Sequence, residues 1–204
     1  NLSGYSAIDV NRGINLFLGE EGIQNIKVSA QQNLLDIVQI WVSGSTLHIS
    51  LKKEWIVKNS EINVFIPISH LKQLNKLSAS GGSDVMTKHM IKNEAFALHA
   101  SGGTDVHLAL EVNQLECKNN GGSDVTLSGR ARSMEVHSSG GSDLNARELR
   151  SEICYIYASG GSDSEIQASK EIHGSLSGAA DVNYSGNPAV VDVSVSGSAD
   201  LKKR

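Results

Sequence analysis

The feature that most constrains the fold is a short motif that returns seven times at nearly constant spacing. The first copy spans residues 80–85 and reads SGGSDV, and five copies contain two adjacent glycines. The aspartates of the copies are Asp84, Asp105, Asp124, Asp143, Asp163, Asp181 and Asp200. Their separations are 21, 19, 19, 20, 18 and 19 residues. A period of this length indicates stacked repeat units.

The residues that precede each motif alternate between apolar and polar, which predicts a strand with one buried face. The position five residues before the motif forms one inward column: Phe96, Leu115, Met134, Cys154, Ile172 and Val191. The position three residues before it forms a second: Leu77, Leu98, Cys117, Val136, Ile156 and Val193. A strand residue advances about 3.3 Å, so about 19 residues complete one turn of a narrow solenoid whose strands stack about 4.8 Å apart.

The predicted fold is therefore all-β, a right-handed parallel β-helix with rungs of about 19 residues. A propeller blade would need about 40 residues, and a leucine-rich repeat would show its own Leu and Asn signature. The tight corners are assigned to glycines, which tolerate backbone conformations that other residues disfavour. These structural glycines are Gly81, Gly82, Gly102, Gly103, Gly121, Gly122, Gly140, Gly141, Gly160 and Gly161.

Residues 1–76 lack the motif but still contain segments typical of strands. The segments are 8–10, 14–18, 26–29, 37–42, 47–51 and 62–66. We expect a single domain over 1–204, with regular repeats over 77–204 and either irregular rungs or a β-cap over 1–76. Leu71, Leu74 and Leu77 have helical spacing, but Leu77 falls in the strand register, so this segment is also interpreted as strand.

Three parts of the sequence together match one known family. Residues 5–10 read YSAIDV and are followed by GIN at 13–15, and strand-like runs occupy 26–30 and 47–51. With the serial Ser-Gly-Gly-Ser-Asp-Val turns, the chain resembles the bacterial auto-transporter adhesins of the head GIN domain family. The resemblance implies a right-handed β-helix, export to the envelope or surface, and often a lipoprotein leader. It carries no catalytic or ligand residues over to this chain.

The composition limits the classes of binding partner and the cellular locations that suit this chain. The net charge of −4 and the pI near 6.0 argue against a nucleic-acid partner, because phosphate binding needs concentrated Lys and Arg. No apolar run approaches the 18 residues of a membrane span. The chain begins at Asn1 without Met, so we expect a mature chain whose signal peptide has been removed. The expected location is the periplasm, an outer-membrane lipoprotein or the extracellular surface of a bacterium.

The aspartate column is the most conspicuous candidate site. Stacking would place Asp84, Asp105, Asp124, Asp143 and Asp163 in one file, where neighbouring charges repel by roughly 0.9 kcal/mol in water. The favoured interpretation is that each carboxylate accepts backbone N–H bonds at its own corner, as in an Asx turn. A Ca²⁺ ladder along the five aspartates is the alternative. Catalysis is disfavoured because acid–base chemistry needs carboxylates in distinct environments.

Other candidates are weighed by their position in the repeat. His99 and His137 share an outward column two rungs apart, too far for one zinc ion. Cys117 and Cys154 are assigned to the core and match no zinc motif. An arginine cluster, interpreted as a solvated mixed-charge face, comprises Arg130, Arg132, Arg147 and Arg150, with Glu111 and Glu148 nearby. A possible carbohydrate platform comprises Trp41, Trp55, Tyr155 and Tyr157, although core or cap packing is the default for both tryptophans.

The function predicted from the sequence is a non-catalytic interaction module of the cell envelope or surface, such as an adhesin head. Its partner would be a protein or a glycan, and no metal, cofactor or catalytic residue is assigned. A glycan-binding module is the first alternative, and a glycan-cleaving β-helix enzyme is the second. The ligand and the oligomeric state are left open.

Overall fold

The protein is a β-solenoid of about 7 turns with rungs about 19 residues apart. The structure, a computed structural model, describes Leu2 and residues 4–52 and 61–204. The strands of the described chain join in one sheet: β1 (Ala7–Val10), β2 (Asn15–Glu20), β3 (Lys27–Ser29), β4 (Val38–Ser43), β5 (Thr46–Leu51), β6 (Asn63–Pro67), β7 (Lys76–Ser80), β8 (Val85–Thr87), β9 (Ile91–Ser101), β10 (Asp105–Gly121), β11 (Asp124–Gly140), β12 (Asp143–Gly160), β13 (Asp163–Leu176), β14 (Asp181–Ser185), β15 (Val190–Val195) and β16 (Asp200–Lys203).

The repeats pair in parallel and in the predicted register, which confirms the fold class. Strands β10 and β11 run alongside each other for their whole length, from Asp105 opposite Asp124 to Gly121 opposite Gly140. The first inward column is continuous: Leu115 pairs with Phe96 and Met134, Met134 with Cys154, Cys154 with Ile172, and Ile172 with Val191. All but the last are buried. Val191 is 42 % exposed because β15 lies at the end of the sheet and pairs only with β13.

The N-terminal part contains both rungs and a cap. The β1–β2 rung lies between two others, with β5–β6 on one side and β7–β8 on the other. Beyond β5–β6, β4 pairs with β5 and β3 pairs with β6, both antiparallel. The described strands match the six predicted segments to within one or two residues at each end. Antiparallel strands thus replace the parallel stacking at this end of the solenoid.

A 3-10 helix over Ile68–Gln73 crosses from the β5–β6 rung to β7, so the strand prediction was wrong for Leu71. Leu77 does lie in β7, as its register indicated. The helix is held by Tyr5, whose buried hydroxyl lies 2.5 Å from Nδ1 of His70. Burial lowers the pKa of His70, which keeps the ring neutral and able to accept this hydrogen bond.

The corners stack glycine upon glycine. Gly140 has a φ of +82°, and a Cβ there would lie 2.9 Å from the carbonyl oxygen of Gly121 on the preceding rung. The same corner uses the amide of Gly141, which donates to that carbonyl at 2.8 Å. The second glycine of this pair has an ordinary φ. Both the backbone angle and the stacking therefore require glycine at position 140. At position 141 neither requires it as strongly.

The interior of the corner is polar. The Ser or Thr that precedes each aspartate is fully buried in five copies: Ser83, Thr104, Ser123, Ser142 and Ser162. Buried Asn119 accepts from the Ser123 hydroxyl at 2.5 Å and donates to the carbonyl of Asp143 at 2.8 Å. These hydrogen bonds fix this corner from within, whereas the buried hydroxyl of Ser162 has no hydrogen-bond partner among the described residues.

Candidate functional site

The aspartate file exists, but its carboxylates do not form Asx turns. Asp105, Asp124, Asp143, Asp163 and Asp181 pair in register and are exposed. Within the described chain, none of these five carboxylates accepts a hydrogen bond. The Asx-turn interpretation therefore gains no support at these five positions. The reason is that the corner amides already donate to carbonyls of the preceding rung, as the amide of Asp163 does to the Ser142 carbonyl at 3.1 Å.

Past Asp84, the file continues with asparagines instead of aspartates. Asn15 and Asn63 take the next two positions, since Leu16 pairs with both Val85 and Val64. Their side-chain amides are hydrogen-bonded at 3.0 Å. Among the described residues, no group of three or more His, Cys, Asp and Glu side chains is arranged to hold a metal ion. The Ca²⁺ ladder therefore gains no support from the geometry.

Asp163→Asn should stabilise the protein at neutral pH. Burial, followed by the charges of Asp143 and Asp181, raises the pKa of Asp163. A raised folded-state pKa means that stability is greatest below the unfolded pKa and is lost as pH rises through the folded value. Because the carboxylate is exposed and screened by solvent, removing the charge should add less than about 1 kcal/mol at pH 7, seen as a small rise in the melting temperature, and nothing near pH 3.

The control is Asp192→Asn, which removes an exposed carboxylate outside the file and should leave the melting temperature nearly unchanged. Thermal melts with EDTA and with millimolar Ca²⁺ complete the test. No shift in the melting temperature is expected with either. A Ca²⁺-dependent rise that Asp163→Asn abolishes would show that the file binds cations.

A patch of four side-chain rings lies in the second half of the long strands, whereas the aspartates lie at the start of these strands. We call it the ring patch: His137, Tyr155, Tyr157 and His173. His137 stacks on Tyr157 with ring centroids 4.9 Å apart, and Tyr155 stacks on His173 at 5.5 Å. The stacking follows from register, because His137 pairs with Tyr157, and Tyr155 with His173, on adjacent strands. Tyr155 and Tyr157 are 36 % and 38 % exposed, so both rings present part of their surface to solvent.

Carboxylates fix the two histidines of the ring patch. Nε2 of His137 lies 2.8 Å from Glu135, and Nε2 of His173 lies 2.9 Å from Glu171. Each Glu lies two residues before its histidine on the same strand, so both side chains share the outward face. Asp192 adds a longer contact of 4.0 Å to Nδ1 of His173. The rings are thus oriented by hydrogen bonds as well as by stacking.

A shallow groove of about 620 Å³, here the face groove, runs from Tyr155 across the preceding rungs. It exists because small side chains interrupt the outward columns: Ala95 pairs with Gln114, and Ala97 with Glu116. Its polar lining includes amides, a hydroxyl and carboxylates, with the Tyr155 ring at one end. An aromatic wall beside convergent hydrogen-bonding groups is the usual make-up of a binding cleft.

The arginine cluster divides between two places. Arg147 is paired with Glu165, away from the others. Arg130 and Arg132 line a second cleft of about 370 Å³, here the arginine cleft, together with Lys92. Arg130 and Arg132 lie 3.8 and 3.9 Å from Glu152. Of the acidic residues named from the sequence, Glu111 lies opposite Arg130 on the adjacent strand but forms its ion pair with Lys92, and Glu148 forms no ion pair within the described chain.

The remaining candidates are scattered. Trp41 is 43 % exposed and stacks on His48 in the cap, seven strands from Tyr157 in the sheet order, or roughly 34 Å at 4.8 Å per strand. Trp55 lies outside the described residues. His99 and His137 flank Lys118 in register. Cys117 and Cys154 are fully buried, and burial raises the pKa of each thiol to about 12. Of the described members of the predicted platform, Tyr155 and Tyr157 are neighbours and Trp41 lies apart from them.

Sequence reasoning missed the histidines and carboxylates that complete the ring patch. The signal was present, because Glu135 and His137, and Glu171 and His173, repeat a Glu-x-His pattern on outward positions. Glu116 in the groove is not suited to act as a general acid. A hydrogen bond from Lys118 holds the pKa of Glu116 below its ordinary value, whereas a general acid needs a raised pKa. The described part of the chain has no helix of the length and apolarity needed to cross a bilayer.

Long parallel rungs with extended outward faces define a β-solenoid repeat protein. A family model described as "Putative auto-transporter adhesin, head GIN domain" matches residues 4–188. The chain therefore belongs to this family, as the sequence resemblance implied. Membership of an adhesin family indicates a surface or exported protein and favours a non-enzymatic role.

Solved structures share the fold across the full length of the chain. A putative adhesin from Bacteroides fragilis is 23 % identical with a TM-score of 0.88, and 94 % of it is covered. A putative adhesin from Parabacteroides merdae is 17 % identical with a TM-score of 0.74 and 93 % covered. A protein from Parabacteroides distasonis described as a putative lipid binding protein is 16 % identical with a TM-score of 0.71 and 94 % covered. A comparison with curated proteins found no match.

Proposed function

We propose that this protein is a non-catalytic adhesion module that binds a cell-surface glycan through the ring patch and the face groove. The observation that carries the proposal is the pair of exposed tyrosines, stacked on histidines, at the end of a polar groove. Aromatic side chains dominate the energetics of recognition surfaces because they bury large areas with little loss of conformational entropy. Export to the bacterial envelope, with removal of a signal peptide, is part of this proposal.

A glycan fits this surface better than a flat protein partner. Hydroxyl groups of a sugar can donate to carboxylates such as Glu135 and accept from amides such as Gln114, both of which line the groove. The apolar faces of sugar rings can pack on the exposed ring of Tyr155. The groove volume of about 620 Å³ lies within the range of small-molecule sites. A rigid solenoid keeps these groups in place without paying ordering entropy on binding.

Tyr157→Ala should weaken glycan binding at least tenfold, which corresponds to about 1.4 kcal/mol. The measurement is a glycan array probed with the wild-type protein, followed by calorimetric titration of the best array glycan against wild type and variant. The loss has two sources: the tyrosine face itself, and the orientation of His137 that stacks on it. Stability should change little, since Tyr157 is on the surface.

The matched control is Trp41→Ala, which removes a similarly exposed ring that also stacks on a histidine but lies in the cap. Its glycan affinity should equal that of the wild type. Equal losses in both variants, or a loss only with Trp41→Ala, would place the binding site elsewhere. Release of new reducing ends from the array glycan would favour the glycan-cleaving alternative instead.

A further inference from the structure

The face groove and the arginine cleft form one continuous path. Asn93 lines both, and the side chain of Asn113 in the cleft donates a 2.8 Å hydrogen bond to Glu94 in the groove. Glu152, beside the arginines, precedes Tyr155 by three residues of β12, across a bend where the alternation of buried and exposed residues is interrupted, so the two lie at most about 10 Å apart along the chain. A linear ligand with one ring against Tyr155 can therefore reach the arginines.

The cleft carries more positive charge than its carboxylates neutralise. Glu111 is paired with Lys92 at 2.6 Å and also lies opposite Arg130, while Arg130 and Arg132 share the more distant Glu152. That carboxylate is already bonded by Lys170 at 2.7 Å. Most guanidinium donors of the two arginines are therefore left to solvent.

The strand register places a third arginine beside Arg130. Arg150 pairs directly with Arg130 on the adjacent strand, and in the described chain it has no ion-pair partner. Like charges on paired strands are unfavourable, so the arrangement does nothing for the stability of the sheet. On a chain with a net charge of −4, this local excess of positive charge is a distinct feature of the surface.

We propose that the ligand is an acidic glycan, with uncharged sugar groups in the face groove and a carboxylate or sulfate held by Arg130 and Arg132. The inference rests on the proposed function and specifies its ligand class. A guanidinium binds such groups through two parallel hydrogen bonds, which gives the site geometric selectivity as well as attraction. The carboxylates of the groove then exclude acidic groups from the ring patch itself, so the charged residue of the glycan has one place to bind.

The test compares 3′-sialyllactose, a neutral disaccharide that ends in one acidic sugar, with its methyl ester, which keeps the carbohydrate skeleton and removes the charge. Wild-type protein should bind the acid at least tenfold more tightly at low salt, and the preference should shrink as salt rises. Arg130→Gln combined with Arg132→Gln should bind both forms equally. Lys202→Gln combined with Lys203→Gln, which removes two charges at the end of the solenoid, should behave as the wild type.

The outcomes separate this inference from the proposed function. Equal binding of acid and ester by the wild type would overturn the inference and leave the adhesion site standing. Binding of the acid that survives loss of both Tyr155 and Tyr157 would overturn both. Failure to bind the acid, or retention on phosphatidylglycerol vesicles with no affinity for the oligosaccharide, would also overturn the acidic-glycan assignment.

Discussion

Gly174→Ala should destabilise the protein by about 3 kcal/mol or more, because the new Cβ would clash with backbone atoms that small movements cannot clear. Gly174 has a φ of +147°, and a Cβ there would lie 1.8 Å from the carbonyl oxygen of Ile156 on the preceding rung. The obstacle is backbone in the middle of a paired strand, so relief requires breaking the pairing of β12 with β13. Urea denaturation followed by circular dichroism measures the loss.

The control for Gly174 is Gly161→Ala in the neighbouring corner. Gly161 has an ordinary φ, and its Cβ would meet nothing closer than 3.9 Å. This variant should lie within about 0.5 kcal/mol of the wild type. Equal stability of the two variants would show that β12 and β13 are not stacked in the register described. Because Gly174 follows His173, the destabilised variant should also lose glycan binding.

Met134→Asp should cost several kcal/mol, enough to unfold much of the protein at 25 °C. Met134 is completely buried in the column between Leu115 and Cys154. The carboxylate would lie among apolar neighbours, with no cation within reach in the described core. Protonation would relieve part of the penalty, so the variant should recover stability as pH falls toward 4.

The adjacent position supplies the contrast. Glu135 points outward on the same strand, so Glu135→Asp keeps the charge and should change the unfolding free energy by less than about 0.5 kcal/mol. A one-residue slip in register would exchange the two outcomes, since alternate side chains face opposite sides of a strand. Measuring both variants in one denaturation series therefore tests the register as well as the core.

The repeat made the fold predictable, because a period of about 19 residues and period-two alternation leave few alternatives to a parallel solenoid. Two features were beyond the same reasoning. The order of the N-terminal rungs depends on long-range pairing, in which β7 stacks on β1 rather than on β5, the equivalent strand of the rung before it in the sequence. Gly174 breaks the apolar column between Ile156 and Val193, and only stacking geometry explains it.

The candidate site was predictable only in part. Alternation predicts that Tyr155 and Tyr157 point outward. The ring stacks, however, depend on the pairing register of adjacent strands, which must be known to within one residue. The irregular spacing between β12 and β13, where the register shifts near Ser151, decides that His173 meets Tyr155. The sequence also could not show that these aspartates lack Asx turns, because it does not reveal that the corner amides donate to carbonyl oxygens of the preceding rung.

The most direct test of the proposed binding site is fluorine NMR of protein labelled with 3-fluorotyrosine. The chain has four tyrosines, and their fluorine signals report on three regions. Tyr155 and Tyr157 lie in the ring patch, Tyr5 is buried beneath the 3-10 helix, and Tyr184 lies on β14 near the end of the solenoid. Titration with the best array glycan should shift the signals of Tyr155 and Tyr157 together, with one dissociation constant, and leave the other two unchanged. Saturable binding that shifts Tyr184 or Tyr5, and leaves the ring patch unmoved, would contradict the account.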